Sequence, residues 1–146
     1  MRKRGIAGQV FLEEVKDLDK LIKQIKDQIE IEEGMLTDTA VHYKDIQVQT
    51  SGAKDMIGEK VPEIADLIND LKEYKCELAD KKRLALTVIR KLQPRRQSIL
   101  MLYYIQGKTL EKTAEEMGKS YTWLWDEMQE AVTDFSKIFE EIQKTV

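Results

Sequence analysis

The sequence predicts an all-α fold: a long antiparallel helical hairpin with coiled-coil-like packing, followed by a C-terminal three-helix helix-turn-helix domain. Charged residues make up 35% of the 146 residues and aromatic residues 7%, a balance typical of long amphipathic helices rather than sheets. Only two prolines and seven glycines interrupt the chain. Two long stretches also place apolar residues in alternating steps of four and three, which is the spacing of a coiled-coil seam.

The first of these stretches predicts a helix over residues 8–36. Its seam consists of Phe11, Val15, Leu18, Ile22, Ile25 and Ile29, followed by Glu32 and Leu36. The periodicity then fades in TDTAVHYKDIQVQTSGAKDMIGEK, so residues 37–60 are predicted to form a long loop with at most a short helical turn. Loops of this length are commonly either functional or disordered, and the residues themselves favour neither explanation.

The second stretch predicts a helix that begins near residues 59–62, because Pro62 is tolerated in a first turn. Its seam consists of Leu67, Leu71, Tyr74, Leu78, Lys81, Ala85, Val88 and Leu92, with Lys81 as a polar interruption. Two such helices fold back most simply as an antiparallel pair, although a second copy or another protein could complete the seams. Cys76 lies in this helix and is predicted to be a buried, unreactive thiol.

Pro94 marks the predicted domain boundary, because proline lacks the amide hydrogen and disfavours helical geometry in the residue before it. Residues 1–93 are then the helical arm and residues 94–146 the helix-turn-helix domain. The first helix of that domain has an apolar face that Gly107 closes. That face consists of Ile99, Leu102, Tyr103 and Ile105.

The next two helices have the spacing of a helix-turn-helix. Their ends carry capping residues, namely Thr109, Gly118 and either Ser120 or Thr122. The motif needs a small residue where its helices touch, a glycine at the turn and an apolar anchor on the second helix. Ala114, Gly118 and Leu124 meet these needs in order. The last helix is predicted to run through Phe135 or beyond.

The run QSILMLYYIQGKTLEKTAEEMGKSYTWLWDEMQEAVTDF, residues 97–135, resembles region four of the sigma-70 family, which binds the upstream promoter element. The whole chain is similar to small sigma-70 region-four-like regulators of phage and prophage late genes in Gram-positive bacteria. The resemblance implies a core formed by Leu110, Ala114, Met117, Gly118, Leu124, Ala131, Val132 and Phe135. Thr113 departs from the pattern, as does Glu127, for which Met128 could substitute.

The same resemblance implies which residues face DNA, because the first turns of the recognition helix enter the major groove. The implied positions are Lys119, Ser120, Tyr121, Thr122, Trp123, Trp125, Asp126 and Gln129. The cations at the ends of the preceding helices are expected to contact the phosphate backbone. These cations are Arg95, Arg96, Lys108 and Lys112.

The net charge of the chain argues against DNA binding. The chain has a net charge of -3, and residues 94–146 carry seven Lys and Arg against nine Asp and Glu. A phosphate backbone repels the acidic residues of the recognition helix, which are Asp126, Glu127, Glu130 and Asp134. An exposed tryptophan on such a helix suits a protein partner better than a phosphate. Because residues two apart on a helix point in nearly opposite directions, Trp123 and Trp125 cannot both be buried in one core.

The sequence therefore favours a DNA-binding transcriptional regulator of phage or prophage late genes, with double-stranded DNA as its partner at modest affinity. RNA polymerase is a further expected partner, and the arm is expected to form a homodimer. One alternative is a protein-interaction module that keeps the helix-turn-helix as a scaffold for RNA polymerase or a phage protein. Another is a small terminase-like packaging factor.

No catalytic site, metal or cofactor is expected. The GKT at Gly107 lacks the earlier glycine of a phosphate-binding loop, since Leu102 stands there. His42 is the single histidine and has no partner at metal-ligand spacing. One cysteine and no apolar stretch near the ~18 residues of a membrane span point to a cytoplasmic protein without a membrane partner.

Overall fold

The computed structural model describes residues 6–46 and 51–145, with side chains described for residues 7–35 and 62–144. Its helices are α1 (Ile6–Ile46), α2 (Ser51–Ile89), α3 (Pro94–Leu100), α4 (Leu110–Met117) and α5 (Tyr121–Thr145). A short π-helical segment, Met101–Ile105, continues α3. The described residues contain no strand, and the all-α prediction is confirmed. The order of the helices is consistent with a helical hairpin followed by a helix-turn-helix.

The loop predicted over residues 37–60 is wrong for most of its length. Helix α1 continues to Ile46, ten residues beyond the predicted end, and α2 begins at Ser51 rather than near residues 59–62. The segment carries glycine and β-branched residues, which lower helix propensity by only about 1 kcal/mol each or less, and no proline. Residues 47–50 and the side chain of His42 lie outside the described residues.

The chain forms two compact units. One unit comprises Met1–Asp19 and Leu78–Val146, and the other comprises Lys20–Glu77. The first unit thus joins the helix-turn-helix helices to the start of α1 and the end of α2. The second unit consists of the remaining parts of α1 and α2.

The first unit has an aromatic core that joins α1 to α5. The Phe11 ring stacks on Phe139 with centroids 4.8 Å apart and lies 6.5 Å from Phe135. Near these rings, Gly8 packs so closely on α5 that a Cβ atom there would lie 2.5 Å from the Cα of Ser136. The first seam residues of α1, namely Phe11, Val15 and Leu18, are buried in this unit.

Lys81 interrupts the α2 seam without leaving an isolated charge. Its ammonium group lies 3.4 Å from a carboxylate oxygen of Glu14 and 5.5 Å from the Phe11 ring centroid. A lysine can bury its aliphatic stem along apolar surface while its head group reaches a partner. The next seam residues of α2 are buried, so the predicted seam continues past this residue.

In the second unit, the seam residues of α1 and α2 are less exposed than most of the residues around them in the sequence. Ile22 and Ile64 are buried, and Leu67, Leu71 and Tyr74 are half-buried. The prediction for Cys76 is wrong, because its side chain is exposed. Cys76 lies between the seam positions Tyr74 and Leu78, so it points away from the stripe that the helix buries.

Candidate nucleic-acid interface

The helix-turn-helix is formed by α4, the turn at Gly118 and α5. Thr109 caps α4, since its side-chain oxygen accepts a hydrogen bond from the backbone N–H of Lys112 at 3.0 Å. Gly118 ends α4 in the left-handed conformation with φ of 68°, which glycine adopts without steric cost. Ser120 then caps α5, because its hydroxyl accepts a hydrogen bond from the N–H of Trp123 at 3.1 Å. Each predicted helix terminus is thus set by a local backbone contact.

Ala114, Gly118 and Leu124, which were predicted to hold the two helices of the motif together, occupy the positions that the motif requires. Ala114 and Leu124 are buried between α4 and α5, and Met128 is buried on the same face of α5. Met128 therefore supplies the apolar contact that Glu127 cannot. Thr113 is also fully buried, and its hydroxyl donates a hydrogen bond to the Thr109 carbonyl at 2.8 Å. This bond satisfies the polar group, so threonine is tolerated at this buried position.

A residue of α1 braces the π-helical segment that follows α3. The Lys16 ammonium group donates a hydrogen bond to the backbone carbonyl of Tyr103 at 3.3 Å. It also lies 3.7 Å from the centroid of the Tyr103 ring. A π-helical turn displaces carbonyls from their usual helical partners, and Lys16 supplies one replacement. Burial raises the pKa of both Tyr103 and Tyr104 above the ordinary tyrosine value. The neutral phenols are therefore the forms that this packing favours.

Arg96 of α3 lies near three acidic residues of α5. Its guanidinium forms an ion pair with Asp134, lies 3.5 Å from Glu127 and 3.8 Å from Glu130. These carboxylates stand three and four residues apart, so they form one stripe on α5 that faces α3. The side chain of Arg96 is 18% exposed, and its Nε makes no hydrogen bond. We call these four residues the Arg96 cluster.

The charges within the Arg96 cluster hold the guanidinium in its protonated form. Burial alone would lower the pKa of Arg96, but the hydrogen bond and charge of Asp134, together with Glu127, outweigh that effect and raise it. The single positive charge of Arg96 therefore offsets part of the negative charge of Glu127, Glu130 and Asp134, while the side chain of Glu130 stays 66% exposed. The spacing of those carboxylates is visible in the sequence, but their partner is not, because Arg96 lies more than thirty residues before Asp134.

Two further cations meet at the indole ring of Trp123. The Arg95 guanidinium lies 5.8 Å and the Lys119 ammonium 5.3 Å from the ring centroid, within the range of cation–π attraction. Arg95 also contacts Glu127 at 3.4 Å, while its side chain stays 53% exposed. The start of α3, the turn and the first turn of α5 are thereby brought together at the N-terminal end of α5.

Of the two remaining predicted cations, Lys108 precedes α4 and Lys112 lies within it. Lys108 forms an ion pair with Glu116, and Lys112 lies 3.7 Å from Glu115. The side chain of Lys112 is half exposed, whereas that of Lys108 is about a third exposed. Both cations are thus at the protein surface but share it with a neighbouring carboxylate, which weakens the local positive potential.

The outward face of α5 carries the other predicted contact residues. Exposed side chains occupy Ser120, Tyr121, Thr122, Asp126 and Gln129. Trp125 is exposed on this face, whereas Trp123 is half-buried, as opposite sides of a helix require. The face is therefore polar and aromatic, with Asp126 as its carboxylate over the first two turns.

The described residues contain no group of His, Cys, Asp and Glu side chains that could hold a metal ion. In the same part of the chain, no helix is long and apolar enough to span a membrane.

Comparison with known protein families agrees with the geometry of the first unit. The profile of sigma-70, region 4, matches residues 82–122. The match begins upstream of Pro94 and covers the end of α2, α3, the π-helical segment, α4 and the turn, and it ends in the first turn of α5. Comparisons with curated proteins and with solved structures give no match. Residues 82–122 are therefore sigma-70 region 4-like, and sigma-70 region 4 is a DNA-binding helix-turn-helix domain.

Proposed function

We propose that this protein is a DNA-binding transcriptional regulator of phage or prophage late genes, which contacts promoter DNA through the first turns of α5. The observation that carries the proposal is the Arg96 cluster. An acidic recognition helix would repel phosphates, but Glu127, Glu130 and Asp134 lie near Arg96 on the side of α5 that faces α3. The outward face is left with hydrogen-bonding side chains suited to base edges.

The contacts divide into two groups. Lys119 and Arg95, with Lys108 and Lys112 beyond them, are proposed to contact phosphates and set the orientation of the protein on the duplex. Ser120, Tyr121, Thr122 and Gln129 are proposed to face the groove, where Gln129 has the donor and acceptor needed for an adenine edge. Trp123 holds the Arg95 and Lys119 side chains near the groove entrance. In this proposal Arg96 orients α5 and does not itself contact phosphate.

The test is selection of duplexes from a random-sequence library, followed by anisotropy titration of a selected duplex over a salt series. Each lost phosphate contact lowers the slope of log affinity against log salt by about 0.9. Lys119→Gln should therefore weaken binding and reduce the slope by about one contact. Lys137→Gln is the matched control, because Lys137 is exposed on α5 but lies more than two helical turns beyond Gln129. An absence of duplex binding even at low salt would refute the proposal.

The proposed regulator acts as a homodimer through its helical arm, which would double the number of phosphate contacts. Supporting this, α1 exposes large apolar side chains in the second unit, among them Ile31 at 54% and Met35 at 49%, and exposed apolar groups favour association. Light scattering should give twice the chain mass for the unmodified protein. The double variant with Ile31→Lys and Met35→Lys should give the mass of one chain, and a single-chain mass for the unmodified protein would exclude the dimer.

The competing function is a protein-interaction module that binds RNA polymerase or a phage protein, and the exposed Trp125 favours it. Exposed tryptophans are frequent anchors of protein interfaces. The two functions differ in one measurement. A stable complex with purified RNA polymerase, formed by a chain that binds no duplex and leaves no footprint on DNA, would favour the interaction module.

A further inference from the structure

Two exposed aromatic side chains stand one helical turn apart on the outward face of α5. Tyr121 is 49% exposed and Trp125 is 50% exposed, and their spacing of four residues places them side by side. Trp123, the neighbouring aromatic residue, is instead half-buried beside Arg95 and Lys119. About half of each of these two side chains is therefore open to solvent, and together they form an apolar surface on the outward face of α5.

The polar neighbours of this aromatic pair indicate what it meets. Thr122, Asp126 and Gln129 surround the pair on the same exposed face, and each offers hydrogen bonds of the kind that base edges accept or donate. The carboxylates that would keep a duplex away lie near Arg96 on the side of α5 that faces α3. An aromatic pair within a hydrogen-bonding surface at the start of a helix-turn-helix second helix is placed to meet bases in the major groove.

Thymine is the base that presents an apolar group in the major groove, its C5-methyl, whereas the other bases present hydrogen-bonding groups there. We propose that Tyr121 and Trp125 pack on thymine methyl groups and thereby select thymines in the binding site. This inference rests on the proposed DNA-binding function and adds the chemical feature that the site must contain. Asp126 and Gln129 would address the amino groups of bases beside those thymines.

The experiment replaces thymine by uracil in a selected duplex, one position at a time. This exchange removes the methyl group and leaves base pairing unchanged. Burial of one methyl group is worth about fourfold in affinity, so the unmodified protein should bind the uracil duplex about fourfold more weakly at each contacted position. Trp125→Ala should bind thymine and uracil duplexes equally at the positions that Trp125 contacts. Because Trp125 is half exposed, this variant should keep the helix content and thermal midpoint of the parent.

Lys119→Gln provides the matched control. It should weaken binding to thymine and uracil duplexes by the same factor, because a phosphate contact is insensitive to the methyl group. Equal binding of both duplexes by the unmodified protein would overturn the inference while leaving the proposed function intact. So would a Trp125→Ala variant that keeps the thymine preference or loses only the binding of RNA polymerase. No binding to any duplex at low salt would overturn the inference and the proposed function together.

Discussion

The contact between Gly8 and Ser136 predicts that a single added methyl group will separate α1 from α5. A Cβ atom at position 8 would lie 2.5 Å from both the Cα and the Oγ of Ser136 and 2.9 Å from its Cβ. The first of these atoms belongs to the backbone, so a change of side-chain rotamer cannot relieve the overlap. Gly8→Ala must move one helix away from the other, next to the stacked rings of Phe11 and Phe139.

The size of the effect follows from packing. Inserting a methyl group into a close-packed contact costs about 1–3 kcal/mol, because helices must shift and lose contacts that the rings make. Because the overlap is with a backbone atom, the cost should lie toward the upper end, about 2–3 kcal/mol. Alanine has the better helix propensity, by about 0.5–1 kcal/mol, so the net loss should be about 1–2.5 kcal/mol in the free energy of unfolding. Gly34 is the matched control: it lies in the same helix, and an added Cβ there meets no atom within 4 Å. Gly34→Ala should therefore be neutral or stabilising.

Urea unfolding followed by tryptophan fluorescence measures this difference, because the two tryptophans, Trp123 and Trp125, both lie in the first unit. Gly8→Ala should lower the midpoint of the fluorescence transition. Far-UV circular dichroism, which reports on both units, should show no loss of stability for Gly34→Ala. If Gly8→Ala left the fluorescence midpoint unchanged or raised it, the close packing of α1 on α5 would be refuted.

Three further outcomes test other parts of the structure. Arg96→Gln should weaken duplex binding without changing its salt slope, because Arg96 orients α5 and makes no phosphate contact; a slope reduced by about 0.9 would show a lost contact instead. Burial raises the pKa of Tyr104 above about 10, so the folded state favours the neutral phenol. Stability from this residue is complete below pH about 10 and falls as the pH rises further, and Tyr104→Phe should reduce that alkaline loss in urea titrations at pH 9 to 11. The exposed Cys76 should react with a thiol reagent in the native protein at the rate of an unfolded thiol, and slow modification would show that it is covered.

Local signals in the sequence were sufficient for the helix-turn-helix itself. Capping by Thr109 and Ser120 and the left-handed turn at Gly118 involve contacts within a few residues, so residue type and spacing predict them. The coiled-coil seams were also predictable, because the periodicity of apolar residues indicates which face of a helix is buried. The error over residues 37–60 has the opposite origin. Weak helix propensity opposes a helix by small amounts only, so it does not by itself end a helix.

Only the tertiary structure decided how the charges and aromatic residues are used. In the sequence, Glu127, Glu130 and Asp134 predict that α5 repels the phosphates of DNA. Their spacing alone does not reveal that Arg96 of α3 lies opposite them. The approach of Gly8 to Ser136 and the meeting of Arg95 and Lys119 at Trp123 are likewise contacts between distant parts of the chain. Side chains far apart in sequence become neighbours only when helices pack. Sequence periodicity therefore specifies which face of each helix is buried, and packing determines which charges remain available to a partner.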